Sequence, residues 1–175
     1  MAFAFTPVTA VDLPLLEAWI SQPHWQRWWG EPETEIAHIR DMIEGRDTTR
    51  PFLFSTGGRK VGYVQYWFIA DQIAEGWSKE EPWLELVPED AVGVDISIGP
   101  ESLLGRGYGS AALRQFCRGL AREGFKTILI DPDEDNLRAV RSYEKAGFRA
   151  VDGLKGKAGG CIIMQHAGAN EESDA

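Results

Sequence analysis

Cysteine is scarce in this 175-residue chain: Cys117 and Cys161 are the whole complement. Neither stands at the paired Cys/His spacing of a metal site, so no metal is expected, and both fall in segments that read as buried helix and strand. Basic residues are outnumbered too, 18 Lys and Arg against 27 Asp and Glu, for a formal net charge of -9. That balance excludes nucleic acid as a partner, because binders of a phosphate backbone carry a basic face. A cationic partner suits the chain better. No run of about 18 uninterrupted apolar residues is present to span a bilayer. The opening "MAFAFTPVTAVDLPLLEAWI" has neither a basic n-region nor a small-residue cleavage site, so a cytoplasmic protein without a membrane partner is expected. The three histidines, His24, His38 and His166, lie too far apart in sequence to suggest a cluster, and no chemistry is assigned to them.

What is present suits one globular domain: 43% hydrophobic and 26% charged residues, with no linker or repeat before the polar ending "AGANEESDA". A single domain over residues 1–166 and a disordered tail over 167–175 are expected, in a monomer or a homodimer.

The patterning predicts a strand over 3–8, a helix from about Asp12, a plausible cap, to Ile20, and a second helix over 34–44. "PFLFSTGGRKVGYVQYWFIA" predicts a hairpin turning at Gly57 and Gly58. An acidic loop containing Trp77 follows, then the strand "AVGVDISIG" and a glycine turn into a helix. In that helix Leu113, Phe116, Cys117, Leu120 and Ala121 recur at the spacing of one buried stripe. "KTILID" is the next strand. Asp135 is expected to cap a helix ending at Gly147, where a left-handed residue is wanted. Strands over 148–154 and 161–166 close an α/β fold with a mixed, mostly antiparallel sheet flanked by helices.

"SLLGRGYGSAALRQF", residues 102–116, places Gly105, Gly107 and Gly109 at alternate positions ahead of the helix. A strand, a glycine turn and a helix N-terminus converge backbone N–H groups on one point, where phosphate is the natural guest. A plain tight turn accounts for one glycine and leaves the others unexplained. A Walker loop is excluded because Gly-Lys-Ser/Thr is missing. A dinucleotide site is disfavoured, since Ser110 replaces the last glycine and too little chain follows Asp131 for further βα units.

"LLGRGYG" followed by "DPDEDNLRAVRSYEKAGF" resembles the acetyl-coenzyme A signature of the GCN5-related N-acetyltransferases. The resemblance implies that the backbone over Leu104, Gly105, Arg106, Gly107, Tyr108, Gly109 and Ser110 holds the cofactor's pyrophosphate, with Ile98 and Asn136 as further cofactor contacts. Leu104 departs from the Gln or Arg usual at its position, which removes a side-chain contact and leaves the backbone cradle. A narrower resemblance, to the aminoglycoside 6'-N-acetyltransferases, runs through "HWQRWWGE", "VGYVQYW", "EGWSKEE", "VGVDISIG" and "IDPDEDNLRAVRSYEKAGF", over about residues 24–148. It implies acetyl transfer from acetyl-coenzyme A to a small cationic amine, an aminoglycoside, with antibiotic resistance as the outcome.

The residues can also be read for their chemistry. Asn136, Val140 and Tyr143 fall at i, i+4 and i+7 and share a helical face that suits a thioester. A tyrosine there can protonate a departing thiolate and an Asn amide can hold a pantetheine arm. On its own Tyr143 reads more readily as a core aromatic with its hydroxyl satisfied; the resemblance reverses that reading and makes it the general acid. Asp95 interrupts an apolar strand, where a carboxylate is costly unless paired or wetted. It is either an outward-facing strand residue or, as the resemblance implies, the ligand of the substrate amine. A free Asp with a pKa near ~3.9 is a poor base for an alkylammonium, so amine binding comes first and base catalysis second.

Asp131 is either a second acceptor contact, as the family's "DP" pair implies, or a turn-forming Asp. Any single one of Trp28, Trp29 and Trp77 reads more readily as a core residue, but as a group they adjoin Gly and polar residues rather than apolar runs and suit the walls of an acceptor site. Seven acids between Asp71 and Asp90 against the single base Lys79 would concentrate a polycation nearby, or simply solvate a loop. Alternative readings are a hydroxylysine or hydroxyornithine acetyltransferase of siderophore synthesis, a protein N-terminal acetyltransferase, and a non-catalytic acyl-coenzyme A binding module.

Overall fold

The computed structural model describes residues 1–168, so the expected tail lies outside the described residues from position 169 onward. The chain builds β1 (Ala4–Pro7), α1 (Leu13–Ile20), α2 (Pro23–Gln26), α3 (Pro32–Ile43), β2 (Arg50–Thr56), β3 (Arg59–Phe68) and α4 (Ile69–Ala74). Then follow β4 (Val92–Ile98), α5 (Tyr108–Arg122), β5 (Ile128–Ile130), α6 (Leu137–Ala146), β6 (Phe148–Ala150) and β7 (Met164–His166). The strands form one seven-stranded sheet in the order β1-β2-β3-β4-β5-β7-β6. This is the expected mixed α/β fold. β1 with β2, β2 with β3, β5 with β7 and β6 with β7 pair antiparallel, whereas β4 with β5 is parallel at Val92↔Ile128 and Gly93↔Leu129. β5 is short, so it accompanies only the first part of β4.

Two compact units divide the chain: Met1–Tyr66 with Asp95–Ala112, and Trp67–Val94 with the chain from Leu113 onward. In the first, Val8, Leu16, Trp19, Ile20, Trp25, Ile36, Ile39, Leu53 and Tyr63 form the core, where helices α1 to α3 lay their apolar faces against β2 and β3. In the second, Ile69, Trp83, Leu84, Ala91, Leu129, Leu154, Ala158 and Ile163 cluster.

Several local expectations need correction. Asp12 does not cap α1 with its side chain; its Oδ2 turns back to accept from the Thr9 amide at 3.0 Å while Oδ1 accepts from Lys60 Nζ at 2.6 Å. Asn136, not Asp135, caps α6, accepting from the Ala139 amide at 3.2 Å, whereas Gly147 takes the expected left-handed conformation at φ 105°. The acidic stretch is no plain loop: α4 and two 3-10 turns, Trp77–Lys79 and Pro82–Leu86, order it, because Trp83 and Leu84 are buried in the second core. The late strands are shorter than expected, with a 3-10 turn at Asp152–Leu154 and a lone bridge pairing Cys161 with Asp133. Cys161 is half-buried rather than buried.

Candidate active site

The outer end of β4 is held at three points. Gly99 donates its amide to Val61 O at 3.0 Å, and its bare Cα lies where an added Cβ would stand 2.3 Å from the Trp19 ring. His24, at the start of α2, donates from Nε2 to the Ile98 carbonyl at 3.0 Å. No sequence signal marked His24, because its partner is 74 residues away.

Asp95 sits half-buried in the middle of this strand. Its Oδ2 accepts from Gln65 Nε2 at 2.8 Å, and Gln65 Oε1 in turn accepts from the Tyr63 hydroxyl at 2.6 Å. Tyr63 and Gln65 share one face of β3 by strand alternation. Tyr63 is fully buried, its ring 6.0 Å from that of Trp25 and 5.8 Å from that of Trp29, and its hydroxyl also lies 3.7 Å from Met42 Sδ. Burial, reinforced by Asp95, Glu35 and Asp47, pushes the Tyr63 phenol well above its ordinary value, so it stays a donor. Glu35, in the first turn of α3, is raised above the ordinary carboxylate value by burial, opposed by His38 and reinforced by Asp95. Asp95 therefore belongs to a locally anionic site that includes Glu35 and Asp47. Sequence reading missed Glu35, Tyr63 and Gln65. Gln65, a lone polar residue in "VGYVQYW", carried the same signal that singled out Asp95.

The tryptophans expected as acceptor walls differ in their surroundings. Trp29 is half-buried and packs on the Tyr63 ring edge-on. The Trp28 ring carries the Arg27 guanidinium 4.9 Å above it. Trp77 is 49% exposed and donates its indole N–H to Glu75 at 3.2 Å.

The glycine turn has a backbone that only glycine adopts easily. Gly105 and Gly107 have φ of 73° and 81°, and a Cβ at either would meet nothing within 4 Å, so conformation rather than packing demands glycine there. Gly109 lies inside α5, which begins at Tyr108. Leu104 is half-buried and its amide donates to Glu101 O at 3.0 Å, while Arg106 is exposed. Tyr108 packs edge-on against Phe3, and Ser110 donates its hydroxyl to Gly107 O at 3.2 Å. An exposed turn of left-handed glycines at the N-terminus of a long helix fits a pyrophosphate.

In the second unit, Tyr143 is half-buried on α6, its ring centroid 6.4 Å from that of Phe148. Asn136 spends its carbonyl on the helix cap, which leaves the amide nitrogen for a ligand. Asp131 follows β5 and, with Glu81, Asp133 and Glu134, surrounds Cys161. Burial first and these carboxylates second push the Cys161 thiol up to about 11. Cys117 is fully buried, and burial raises its thiol far beyond the ordinary range, which removes it as a nucleophile. Among the described residues no group of His, Cys, Asp and Glu is arranged to hold a metal ion, and no helix is long and apolar enough to cross a membrane.

Residues 9–155 match the acetyltransferase (GNAT) domain, and the chain belongs to that family. It is 30% identical over 148 residues to aminoglycoside N(6')-acetyltransferase type 1 of Klebsiella pneumoniae, covering 81% of this chain and 71% of that protein. It is 24% identical over 146 residues to N(6)-hydroxylysine O-acetyltransferase of Escherichia coli, covering 80% of this chain and 44% of that protein. The solved structure of aminoglycoside acetyltransferase AAC(6')-Ib with coenzyme A and kanamycin superposes with a TM-score of 0.77 at 26% identity, covering 99% of this chain and all of that one.

Proposed function

We propose that this chain is an acetyl-coenzyme A-dependent aminoglycoside 6'-N-acetyltransferase whose catalytic domain spans residues 1–166. The observation that carries the reading is Asp95, a half-buried carboxylate oriented by Gln65 in an anionic setting with Glu35, as an ammonium substrate requires. The relationship to aminoglycoside N(6')-acetyltransferase type 1 supports the acceptor class. The reaction belongs in the cytoplasm, where acetyl-coenzyme A is made.

Acetyl-coenzyme A, as cosubstrate, supplies an acetyl group activated as a thioester. The backbone of Gly105 to Ser110 holds its pyrophosphate, and Asn136 holds the pantetheine arm. The Ile98 amide donates to the carbonyl oxygen that gains charge. Asp95 binds the acceptor ammonium, which passes a proton to water, or to Asp95 itself, before the neutral nitrogen attacks. As the C–S bond breaks, Tyr143 gives its phenolic proton to the sulfur, and the proton shed by the newly acylated nitrogen passes through water to restore the phenol. Trp29 and Trp77 line the acceptor, with Trp28 beside them, and Asp131 and the acids between Asp71 and Asp90 attract its remaining charges.

A thiol-release assay with kanamycin, tobramycin, a 6'-hydroxyl analogue, hydroxylated lysine and ornithine, and peptides tests this reading. Turnover of the two 6'-amines and none of the 6'-hydroxyl analogue is expected. The relationship to the hydroxylysine O-acetyltransferase favours a second reading, and turnover of hydroxylated amino acids alone would establish it.

A further inference from the structure

Tyr63 lies outside every role assigned above, yet it is a fully buried hydroxyl one residue removed from the proposed amine ligand. The oxygens of Tyr63 and Gln65 stand 2.6 Å apart, and the phenolic proton is the one hydrogen available between them. Tyr63 must therefore donate. That bond fixes the Gln65 amide with its oxygen toward Tyr63 and its NH2 toward Asp95 Oδ2 at 2.8 Å. The rotated amide would turn an oxygen toward the Asp95 carboxylate, an arrangement tolerable only if Asp95 carries a proton. The state of the amide and the state of Asp95 are thus linked.

We propose that Tyr63 is a positioning residue: its buried hydroxyl holds the Gln65 amide in the orientation that donates to Asp95, and so reserves Asp95 as an ionised ligand for the acceptor's ammonium. The proposal rests on the amine-binding role of Asp95. It explains why a hydroxyl is placed in the aromatic packing of Trp25 and Trp29, where phenylalanine would fill the same space. It also ties the Trp29 wall to the charge site through one ring. Donating hydrogen bonds to a carboxylate favour its charged form, so the relay makes Asp95 a better cation ligand and a weaker base.

The test is steady-state kinetics with acetyl-coenzyme A and kanamycin on Tyr63→Phe, Gln65→Ala and the double variant. Tyr63→Phe should raise KM for kanamycin by about tenfold or more, the loss expected when the released Gln65 amide gives up its hydrogen bond to the charged Asp95, and leave KM for acetyl-coenzyme A unchanged. The acid limb of kcat/KM for kanamycin should move to higher pH. Glu35 and His38 on α3 and Asp47 beyond it also bear on this site. The displacement should therefore persist in a Glu35→Gln background, which assigns it to Asp95.

Because Tyr63 acts through Gln65, the double variant should be no worse than Gln65→Ala alone. Additive losses, an unmoved acid limb or equal damage to both KM values would overturn the proposal. Should Tyr63→Phe not fold, the unmutated enzyme still decides: the Gln65 side-chain amide signal should titrate in step with the Asp95 carboxyl, and a pH-independent signal overturns the relay. Asp95→Asn separates the two claims. If it leaves kanamycin binding intact, the amine-binding role of Asp95 fails; if it weakens kanamycin while Tyr63→Phe does not, only the role of Tyr63 fails.

Discussion

His24 donates from Nε2 to the carbonyl of Ile98 at 3.0 Å, tying the short helix α2 to the outer end of β4. The other ring nitrogen, Nδ1, is buried without a hydrogen-bond partner. His24→Ala removes this donor and leaves the half-buried Ile98 carbonyl only the longer bond from the Ser97 hydroxyl at 3.4 Å, a loss of about 0.5–1.5 kcal/mol. A lower melting temperature is expected, together with weaker acetyl-coenzyme A binding, because Ile98 supplies the proposed backbone contact. Calorimetry with coenzyme A checks the second effect. A variant that melts as the original does would show that the bond contributes nothing net.

At Gly107 the φ of 81° would strain any other residue, while a Cβ would meet open space. Gly107→Ala should therefore cost about 1–2 kcal/mol of conformational energy, felt as a loss of coenzyme A affinity of about 5–30-fold. Gly109 sits in the first turn of α5 and lacks a positive φ. Gly109→Ala carries no such backbone strain, so a loss of coenzyme A affinity there with an unchanged melting temperature would measure crowding of the phosphate. Titration calorimetry distinguishes the two sites.

Tyr143→Phe should bind acetyl-coenzyme A as before and turn over ~10²-fold more slowly, the usual contribution of a positioned general acid. Pre-steady-state thiol release measures the chemical step directly. An unchanged rate would transfer thiolate protonation to water.

Asp95→Asn should weaken the acceptor far more than acetyl-coenzyme A, since the amide keeps the shape and loses the charge. Acceptor affinity should fall as salt rises, because exposed charges are screened over ~8 Å at physiological ionic strength. Neutralising the exposed Glu75, Glu80, Glu85 and Glu89 should slow association and leave dissociation alone. Stopped-flow binding at two ionic strengths reads both quantities.

Glu35 links stability to pH. Its carboxyl is raised in the fold, mainly by burial, so the folded chain holds that proton more tightly than the unfolded one. Its contribution is fully present below the unfolded carboxylate pKa and is lost as pH rises through the raised value. Glu35→Gln should then melt higher than the original protein at pH 7 and no higher in acid. Thermal unfolding at the two pH values checks the sign.

Local patterning carried much of the architecture. The hairpin of β2 and β3 was legible because Gly57 and Gly58 separate two aromatic, β-branched runs, and both glycines have positive φ. The buried stripe of α5 was legible because 3.6-residue periodicity is written in consecutive residues: Leu113, Phe116, Cys117 and Leu120 are all buried. Hydrophobicity also flagged Asp95, as an ionisable residue inside an apolar strand. The ordered acidic segment was not legible, because its turns depend on Trp83 and Leu84 finding a core built largely from distant chain.

By itself, then, the sequence determined the order of the strands and of the longer helices, the glycine turn ahead of α5, and the family whose signature contains it. Those features depend on neighbours within a few positions, where backbone preference and periodicity act. Only tertiary structure decided that Gln65 reaches Asp95 across 30 residues, that Tyr63 orients it, and that His24 holds Ile98. A hydrogen bond depends on where the donor and acceptor come to rest, and for residues on separate elements strand register and helix packing set that position.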